Sequence, residues 1–450
     1  MIAGRMAGET MIESNSRRTF LKACAAAGLG RWGAMNAFAQ GQDYRALVCI
    51  FLFGGNDSDN MVVPVSRQYA QYAAVRGDLA IPRGELLAMP AAGEQMGLHP
   101  SMAALHPLYG EGRLAVTANV GLLVRPATRS AIEAGSVPLP RNLFSHSDQQ
   151  EQWQTAPPND LPGTGWAGRT ADRLAALNAG GDFPTGISVA GNSVLLVGRD
   201  TQPAAISGGS GVLTGEDDSK AGMERAAAVQ QLLDFRSGFV LVQEAKQVLS
   251  DAIEVGRRIQ AAIGEDAPLA TQFPDSGLGR QLEQVARLIK VRTQLGMRRQ
   301  VFFCSTGGFD THSDQAGTHA GLLGGLSAAL TAFYRATEEL GVANQVTAFT
   351  ESEFGRTFAP NNRQGTDHAW GTHQLVVGGA VRGGALYGQF PELRPGGPDD
   401  VDDRGRWIPT TALDQYAGTL AQWFGLDAAG VDAVLPNLRN FSQRNLGFLG

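Results

Sequence analysis

The chain contains RALVCIFLF at residues 45–53, followed directly by GGNDSDN at residues 54–60. An apolar run of this length does not alternate between a buried and a wetted face, so it predicts a strand covered on both sides, as in the middle of a parallel sheet. Two glycines then release the chain, and Asp57 is the first acidic residue after them. The stretch therefore predicts an α/β fold with polar groups beyond the carboxyl end of a central strand.

The rest of the chain repeats this pattern. A helix with Leu322, Leu326, Leu330 and Phe333 on one stripe lies between two apolar runs, which predicts a strand–helix–strand crossover. Further strands are predicted in RLAVTANVG (113–121), ISVAGNSVLLVG (187–198), RQVFFCST (299–306), QVTAFTES (345–352) and LVVGG (375–379). We expect one mostly parallel central sheet flanked by helices over residues 40–450, with a helical insertion at about residues 215–298.

Composition excludes several classes of protein. The formal charge of −6 and the isoelectric point near 5.7 provide no basic surface for nucleic acid or anionic lipid, which favours a small-molecule ligand. The three cysteines have no zinc-ribbon or disulfide-framework spacing, and Cys49 and Cys304 lie in apolar runs as expected for core residues. No segment after the N-terminal region is long and apolar enough to predict a membrane span.

The N-terminal 39 residues resemble a twin-arginine export signal. SRRTFLK at residues 16–22 precedes an Ala/Gly-rich stretch, and AFA at residues 37–39 suits signal peptidase. The alternative is an ordinary basic amphipathic start. The resemblance implies the twin-arginine machinery as a partner, a periplasmic or otherwise exported location, and folding before export.

Four groups of ionisable residues are predicted at one edge of the sheet, because ligands in open α/β sheets bind beyond the carboxyl ends of the strands. The groups are Asp57, then Asp310 with His312, then Glu353 with Arg356, and finally Asp367 with His368. Carboxylates and imidazoles that converge in this way favour a divalent ion such as Zn, Mg, Ca or Mn, since the ion offsets the cost of burying them.

Each group also has a simpler interpretation. Asp57 could cap a helix, and Asp310 with His312 could be a hydrogen-bonded surface pair. Glu353 and Arg356 could form an i,i+3 ion pair, or Arg356 could grip a sulfate or phosphate with its planar donors. Three further histidines in helix-like contexts are expected to be structural: His99, His106 and His319.

Seven motifs together resemble one family of exported proteins. They are GGNDSDNMVVP, LHPSMAALHPLY, FSHSDQQEQWQT, GGFDTHSDQ, TESEFGRT, GTDHAWGTH and GGAVRGGALYG. The family is catalogued as domain of unknown function 1501 and is grouped with the alkaline phosphatase and sulfatase-like superfamily. The resemblance implies an alkaline phosphatase/sulfatase-like core, a bimetal site at the carboxyl ends of the strands, and an activated hydroxyl or formylglycine nucleophile.

By motif, Asp57 resembles the first-strand metal Asp of that superfamily, Asp310 and His312 resemble its later Asp and His ligands, and His368 resembles its last metal His. Glu353 stands where the superfamily has an Asp-His pair. The spacing departs from the superfamily, because one residue separates Asp310 from His312 where three are usual.

For a nucleophile, FSHSD offers Ser145 and Ser147, with His146 nearby as a ligand or base. SVPLPR at residues 136–141 is one residue too long for the sulfatase maturation pattern, which disfavours a formylglycine enzyme. Two functions stay open: an exported metal-dependent hydrolase of anionic phosphate or sulfate esters, and a non-catalytic binding or assembly protein with a degenerate metal site.

Overall fold

A computed structural model describes residues 44–90, 95–156, 163–178, 183–206, 219–264 and 268–450. The export signal predicted over residues 1–39 lies outside the described residues, as do residues 215–218 at the start of the predicted insertion. Within the described residues, no helix has the length and apolarity that crossing a bilayer requires.

Short strands alternate with helices along the chain. The strands are β1 Arg45–Leu52, β2 Val62–Pro64, β3 Leu87–Met89, β4 Met96–Leu98, β5 Leu114–Gly121, β6 Gly186–Ser188, β7 Ala204–Ala205, β8 Arg299–Thr306, β9 Val346–Glu351, β10 Thr372–Gly378, β11 Ala385–Tyr387 and β12 Thr411–Ala412. The helices are α1 Ser58–Met61, α2 Tyr69–Arg76, α3 His106–Gly110, α4 Arg129–Glu133, α5 His146–Thr155, α6 Trp166–Leu174, α7 Lys220–Asp234, α8 Val240–Gly264, α9 Gly277–Lys290, α10 Gln315–Glu339, α11 Leu413–Phe424 and α12 Ala428–Val434.

The main sheet is mixed and mostly parallel, as predicted. Its strand order is β11-β5-β10-β9-β1-β8-β6-β7, and β12 pairs with β5. The pairs are parallel except for the two that β10 makes, which are antiparallel to β5 and β9. Strands β2, β4 and β3 form a small separate sheet.

Strand β1 lies inside this sheet, between β8 and β9. Successive side chains of a strand point to opposite faces. Leu47, Cys49 and Phe51 pack in one core cluster with residues of α6, α11 and α12. The alternate residues of β1, Ala46 to Leu52, are also fully buried, so both faces of the strand are covered. This double burial is the physical reason for the continuous apolar run at residues 45–53.

Helix α10 connects β8 to β9 and uses the predicted stripe. Leu326, Leu330 and Phe333 are buried, whereas Leu322 is only half-buried and its neighbour Leu323 is fully buried. The apolar face of the helix is therefore rotated slightly at its first turns from the predicted position. The crossover places the start of α10 next to the loop that follows β8.

The first turn of α11 contains a buried acid, Asp414, which is 3 % exposed. Its Oδ1 has no hydrogen-bond partner within the described part of the chain. Burial raises the pKa of Asp414 to about 7, because nearby backbone N–H groups and the charge of Arg169 offset only part of the lost hydration. The folded chain therefore binds this proton more tightly than the unfolded chain does.

We expect Asp414→Asn to flatten the pH dependence of stability. The stabilisation from the protonated acid is complete below the unfolded pKa and is lost as pH rises towards about 7. Over that window the wild type should lose up to about 1.4 kcal/mol of unfolding free energy per pH unit relative to Asp414→Asn. Urea unfolding at pH 5 and pH 8 measures this difference. Asp275→Asn, which removes an acid with a 95 % exposed side chain, is the control and should follow the wild type.

Candidate functional site

The predicted polar groups lie at the edge of the sheet where its parallel strands end. Asp310 and His312 follow β8, and Glu353 follows β9. Because β10 runs against its neighbours, the loop before it reaches this same edge and brings Asp367 and His368 there. His146 is added by the first residue of α5.

Two glycines allow other loops to touch the backbone of the loop after β8. A Cβ on Gly54, which has φ +117°, would lie 2.3 Å from the Asp310 nitrogen. A Cβ on Gly365 would lie 2.2 Å from the carbonyl carbon of His312. Neither position could accept a side chain without moving this backbone. The GG and QGT stretches of the sequence thus fix where Asp310 and His312 sit.

Three imidazoles face the Asp310 carboxylate through their Nε2 atoms. His312 Nε2 is 3.0 Å and His368 Nε2 is 3.2 Å from Asp310 Oδ1. His146 Nε2 lies 3.4 Å from Asp310 Oδ2 and forms no hydrogen bond within the described residues. The two Nε2 atoms of His312 and His368 are 3.0 Å apart.

The other nitrogen of each ring is held by an acceptor. His368 Nδ1 is 2.8 Å from the Phe144 carbonyl oxygen, His146 Nδ1 is 2.9 Å from Glu353 Oε1, and His312 Nδ1 is 3.0 Å from Asp367 Oδ1. A carbonyl or an ionised carboxylate can only accept, so each Nδ1 must carry the hydrogen. In the neutral rings all three Nε2 atoms therefore present lone pairs towards Asp310.

This donor set fits a divalent cation. Lone pairs 3.0 Å apart repel each other unless a proton or a cation lies between them. Ligand atoms of His146, Asp310 and His368 all lie within 4.8 Å of one another. Imidazole nitrogen and carboxylate oxygen suit zinc and related ions. In such sites the other ring nitrogen usually donates to a carboxylate or a backbone carbonyl, as it does in these three rings.

Arg356 lies beneath the imidazoles and holds Asp310. Its NH1 donates to Asp310 Oδ1 at 2.7 Å and to the Gly54 carbonyl at 3.2 Å, while Nε and NH2 donate to the hydroxyl and carbonyl of Thr366. The Arg356 side chain is fully buried. Burial lowers the pKa of Arg356, and Asp310 opposes that effect. This placement favours a role for Arg356 in positioning Asp310. It is less consistent with the alternative from the sequence, in which Arg356 binds a sulfate or phosphate.

Asp310 and Asp367 are ionised at neutral pH. Burial acts to raise the pKa of Asp310, but the hydrogen bond and charge of Arg356, with the charges of His312 and His146, leave it below its usual value. Burial also opposes ionisation of Asp367, yet Arg404, Asn361 and His312 lower its pKa to about 2. Arg404 forms an ion pair with Asp367 Oδ2 at 2.7 Å.

The imidazoles respond to different surroundings. The hydrogen bond to Glu353 raises the pKa of His146, although burial opposes it. Burial lowers the pKa of His368, and this effect is larger than the opposite effect of its hydrogen bond to the Phe144 carbonyl.

Asp57 lies deeper than the imidazole cluster. Its fully buried carboxylate forms an ion pair with Arg76 and accepts a hydrogen bond from Gln315. It occupies the N-cap position of α1 but makes no capping bond with its side chain. It is linked to Asp310 only through intermediates, because Gln315 accepts from Thr366, which in turn accepts from Arg356. The structure thus separates Asp57 from the other predicted ligands.

Glu353 and Ser145 have defined partners. Glu353 Oε1 accepts from the Gly54 backbone and from Gln150 at 2.8 Å each, besides its bond with His146. Ser145 lies at the N-cap of α5, where its Oγ donates to Asp148 Oδ2 at 2.8 Å. The i,i+3 pair of Glu353 with Arg356 does not form, since each side chain bonds elsewhere.

The three histidines that were expected to be structural, His99, His106 and His319, each have a structural partner. His99 Nδ1 accepts from the Ser101 backbone at 3.0 Å, and His106 Nε2 is 2.7 Å from the Ala88 carbonyl. His319 Nε2 is 2.9 Å from Asn56 Oδ1, and burial lowers its pKa to about 4.

Sequence reasoning missed several residues that orient the centre: Phe144, Gln150, Asn361, Thr366 and Arg404. Gln150 follows His146 by four residues, so the helical period of α5 was a usable signal. The Phe144 carbonyl had no such signal, because it depends on a backbone with φ +79°.

One family model matches most of the chain. The profile described as "Protein of unknown function (DUF1501)" matches residues 44–403. No curated protein matches the chain.

Solved structures resemble the chain at low identity. The complex of Ps i-CgsB with k-i-k-neocarrahexaose is 10 % identical, covers 86 % of this chain and 73 % of its own, and has a TM-score of 0.33. The PsFucS1 sulfatase from Pseudoalteromonas sp. is 9 % identical, with coverages of 85 % and 74 % and a TM-score of 0.32. The phosphonate monoester hydrolase of Agrobacterium radiobacter is 9 % identical, with coverages of 85 % and 74 % and a TM-score of 0.31. On the strength of the profile match, this chain belongs to the DUF1501 family.

Proposed function

We propose that this protein is an exported, metal-dependent hydrolase of phosphate or sulfate esters. The observation that supports it most is the convergence of three Nε2 lone pairs on the Asp310 carboxylate, each ring being held at Nδ1 by an acceptor. The twin-arginine motif at residues 16–22 supports export, and the motif resemblance supports anionic esters as substrates.

The proposed roles follow from the contacts. His146, His312, His368 and Asp310 would hold the ion. A bound divalent ion would supply Lewis acidity towards an ester oxygen and make water more acidic. Glu353, Asp367 and the Phe144 carbonyl keep the Nε2 atoms directed inward, and Arg356 keeps Asp310 ionised and fixed in place.

Ser145 is a weak candidate for the nucleophile. Its hydroxyl hydrogen is donated to Asp148, and that hydrogen bond, with one from Asn142, lowers the pKa of Asp148. A carboxylate with a lowered pKa accepts a proton poorly at neutral pH. We therefore propose that water, rather than Ser145, attacks the ester.

One observation favours the alternative of a non-catalytic binding protein. Asp57 resembles a metal ligand of the superfamily, yet here it is neutralised by Arg76 and lies apart from the imidazoles. A chain with one ion where the superfamily uses two could bind an anion without cleaving it.

Metal content tests the proposed centre. The purified exported protein should hold about one divalent ion per chain. His146→Ala and His368→Ala should each remove most of it, because each substitution deletes one converging nitrogen. Elemental analysis after dialysis gives the measurement, and His106→Ala, a histidine outside the centre, should retain the ion. Metal-free wild-type protein, or full retention in both variants, would contradict the centre.

Arg356→Lys tests the positioning role. Lysine keeps a positive charge but replaces the three nitrogens of a rigid planar fork with one, so Asp310 loses its fixed orientation. We expect metal affinity to fall about 10- to 100-fold in a competition titration against a chelator. Thermal melting of the metal-free proteins separates this effect from general destabilisation, and Arg129→Lys, with its surface ion pairs, is the control. Unchanged affinity would leave Arg356 without a role at the ion.

Turnover distinguishes the two functions. Aryl phosphates, phosphodiesters and aryl sulfates should include a substrate whose hydrolysis stops on chelation and in His368→Ala. Ser145→Ala should keep the rate within about threefold, whereas loss of a true nucleophile costs several orders of magnitude. A loss of that size in Ser145→Ala would make Ser145 the nucleophile. Metal binding without turnover on any of these esters would favour the binding protein.

A further inference from the structure

Exposed apolar side chains are concentrated in one part of the molecule. Nine of the ten large hydrophobic residues that are exposed in the described part of the chain lie between residues 223 and 249, on α7, α8 and their connection. They are Met223, Leu232, Phe235, Phe239, Val240, Leu241, Val242, Val248 and Leu249, which we call the hairpin surface. Scattered single exposures are ordinary, but a cluster of this kind marks an interaction site.

The connection between the two helices is built as a turn. Gln243 Nε2 donates to the Ser237 carbonyl at 2.8 Å, and Lys246 Nζ donates to the Phe235 carbonyl at 2.5 Å. The half-buried residues of α7, including Ala226, Val229 and Leu233, recur at helical spacing. These positions form the inner face of the hairpin, where the two helices pack together. The large exposed residues lie outside that face and do not contribute to the packing of the hairpin itself.

One face of α8 is covered along only half its length. Leu241, Val248 and Val255 recur at seven-residue intervals, which places them on the same face of the helix. Val255 and Ile259 are buried, at 8 % and 1 % exposure, whereas Leu241 and Val248 are 84 % and 68 % exposed. The apolar pattern that packs the second half of α8 thus continues over its first half, where no described residue covers it.

The size of the hairpin surface matches a protein interface. With about 150 Å² for each side chain at full exposure, the lower end of the aromatic range because seven of the nine are Val, Leu or Met, the nine residues present roughly 800 Å². Specific interfaces bury about 800 Å² on each partner, and the largest apolar patch of a typical monomer is about 300–600 Å².

The charges around the surface are balanced. Residues 220–251 contain Lys220, Arg225, Arg236 and Lys246 against Glu224, Asp234, Glu244 and Asp251. A neutral surface gains nothing from an anionic membrane, and it favours no strongly charged partner. Equal numbers of both signs can instead pair reciprocally across a two-fold axis, where each residue meets the same surface of an identical chain.

We infer that the hairpin surface binds a second copy of this chain, so that two α7–α8 hairpins form a four-helix bundle around a two-fold axis. Helix α7 has 15 residues and spans about 22 Å, which is enough for such a bundle. The inference is independent of the metal centre and of any hydrolase activity.

Sedimentation velocity of the full exported protein between about 1 and 100 μM tests the inference. The wild type should sediment as a dimer. The double variant Leu241→Glu with Val248→Glu should sediment as a monomer, with about half the mass, because four carboxylates would be buried at the axis. Its helix content by circular dichroism and its metal content should stay those of the wild type, since both side chains are exposed within a single chain. Leu139→Glu alters an exposed leucine outside the hairpin (45 % exposed) and should remain dimeric.

A second measurement does not depend on the glutamate variant. Leu241→Cys in a chain that also carries Cys24→Ser should form cross-linked dimers with a short bis-maleimide, because the two remaining native cysteines, Cys49 and Cys304, are buried and do not compete. A wild-type monomer across the whole range overturns the inference. A dimer that persists in the double variant also overturns it. A monomer that floats with phosphatidylcholine vesicles would assign the surface to lipid instead.

Discussion

The structure of the centre depends on a single ion pair, between the buried guanidinium of Arg356 and the partly exposed carboxylate of Asp310. Arg356 is fully enclosed and anchored on Thr366 and on the Gly54 carbonyl, so it sets the position of the carboxylate that three imidazoles face. Burying a guanidinium is costly unless its donors are satisfied. The backbone carbonyls of Gly54 and Thr366, which lie in two distant loops, accept hydrogen bonds from the guanidinium and offset this cost. Arg356 therefore links the two loops to each other and to Asp310.

Much of the fold followed from short stretches of sequence. The continuous apolar runs in β1 and β8 predict strands that are covered on both faces, and both strands are buried in this way along most of their length. The direction of β10 could not be predicted, since LVVGG fits a buried strand of either orientation. It matters for the site, because only an antiparallel β10 brings Asp367 and His368 to the edge where β8 and β9 end.

The convergence of acid and imidazole side chains was predictable in kind but not in detail. Acid and imidazole residues after strands locate the edge of the sheet, and five of the six predicted metal ligands lie there. Asp57 differs because of Arg76, which reaches it from α2, and nothing in YAQYAAVR marks that arginine as buried. Likewise, the ring orientation of His368 depends on the carbonyl of Phe144, a backbone group whose direction is invisible in sequence.

The sequence separation of these residues determines when the centre can form during folding. Its residues lie far apart in sequence: His312 and His368 are separated by 56 positions, and His146 and Glu353 by 207. No contiguous segment contains the whole centre, so its side chains converge only when β8, β9, β10 and α5 have docked. An ion that bound here would thus stabilise the native state after folding and slow its unfolding. It would not guide the early steps of collapse.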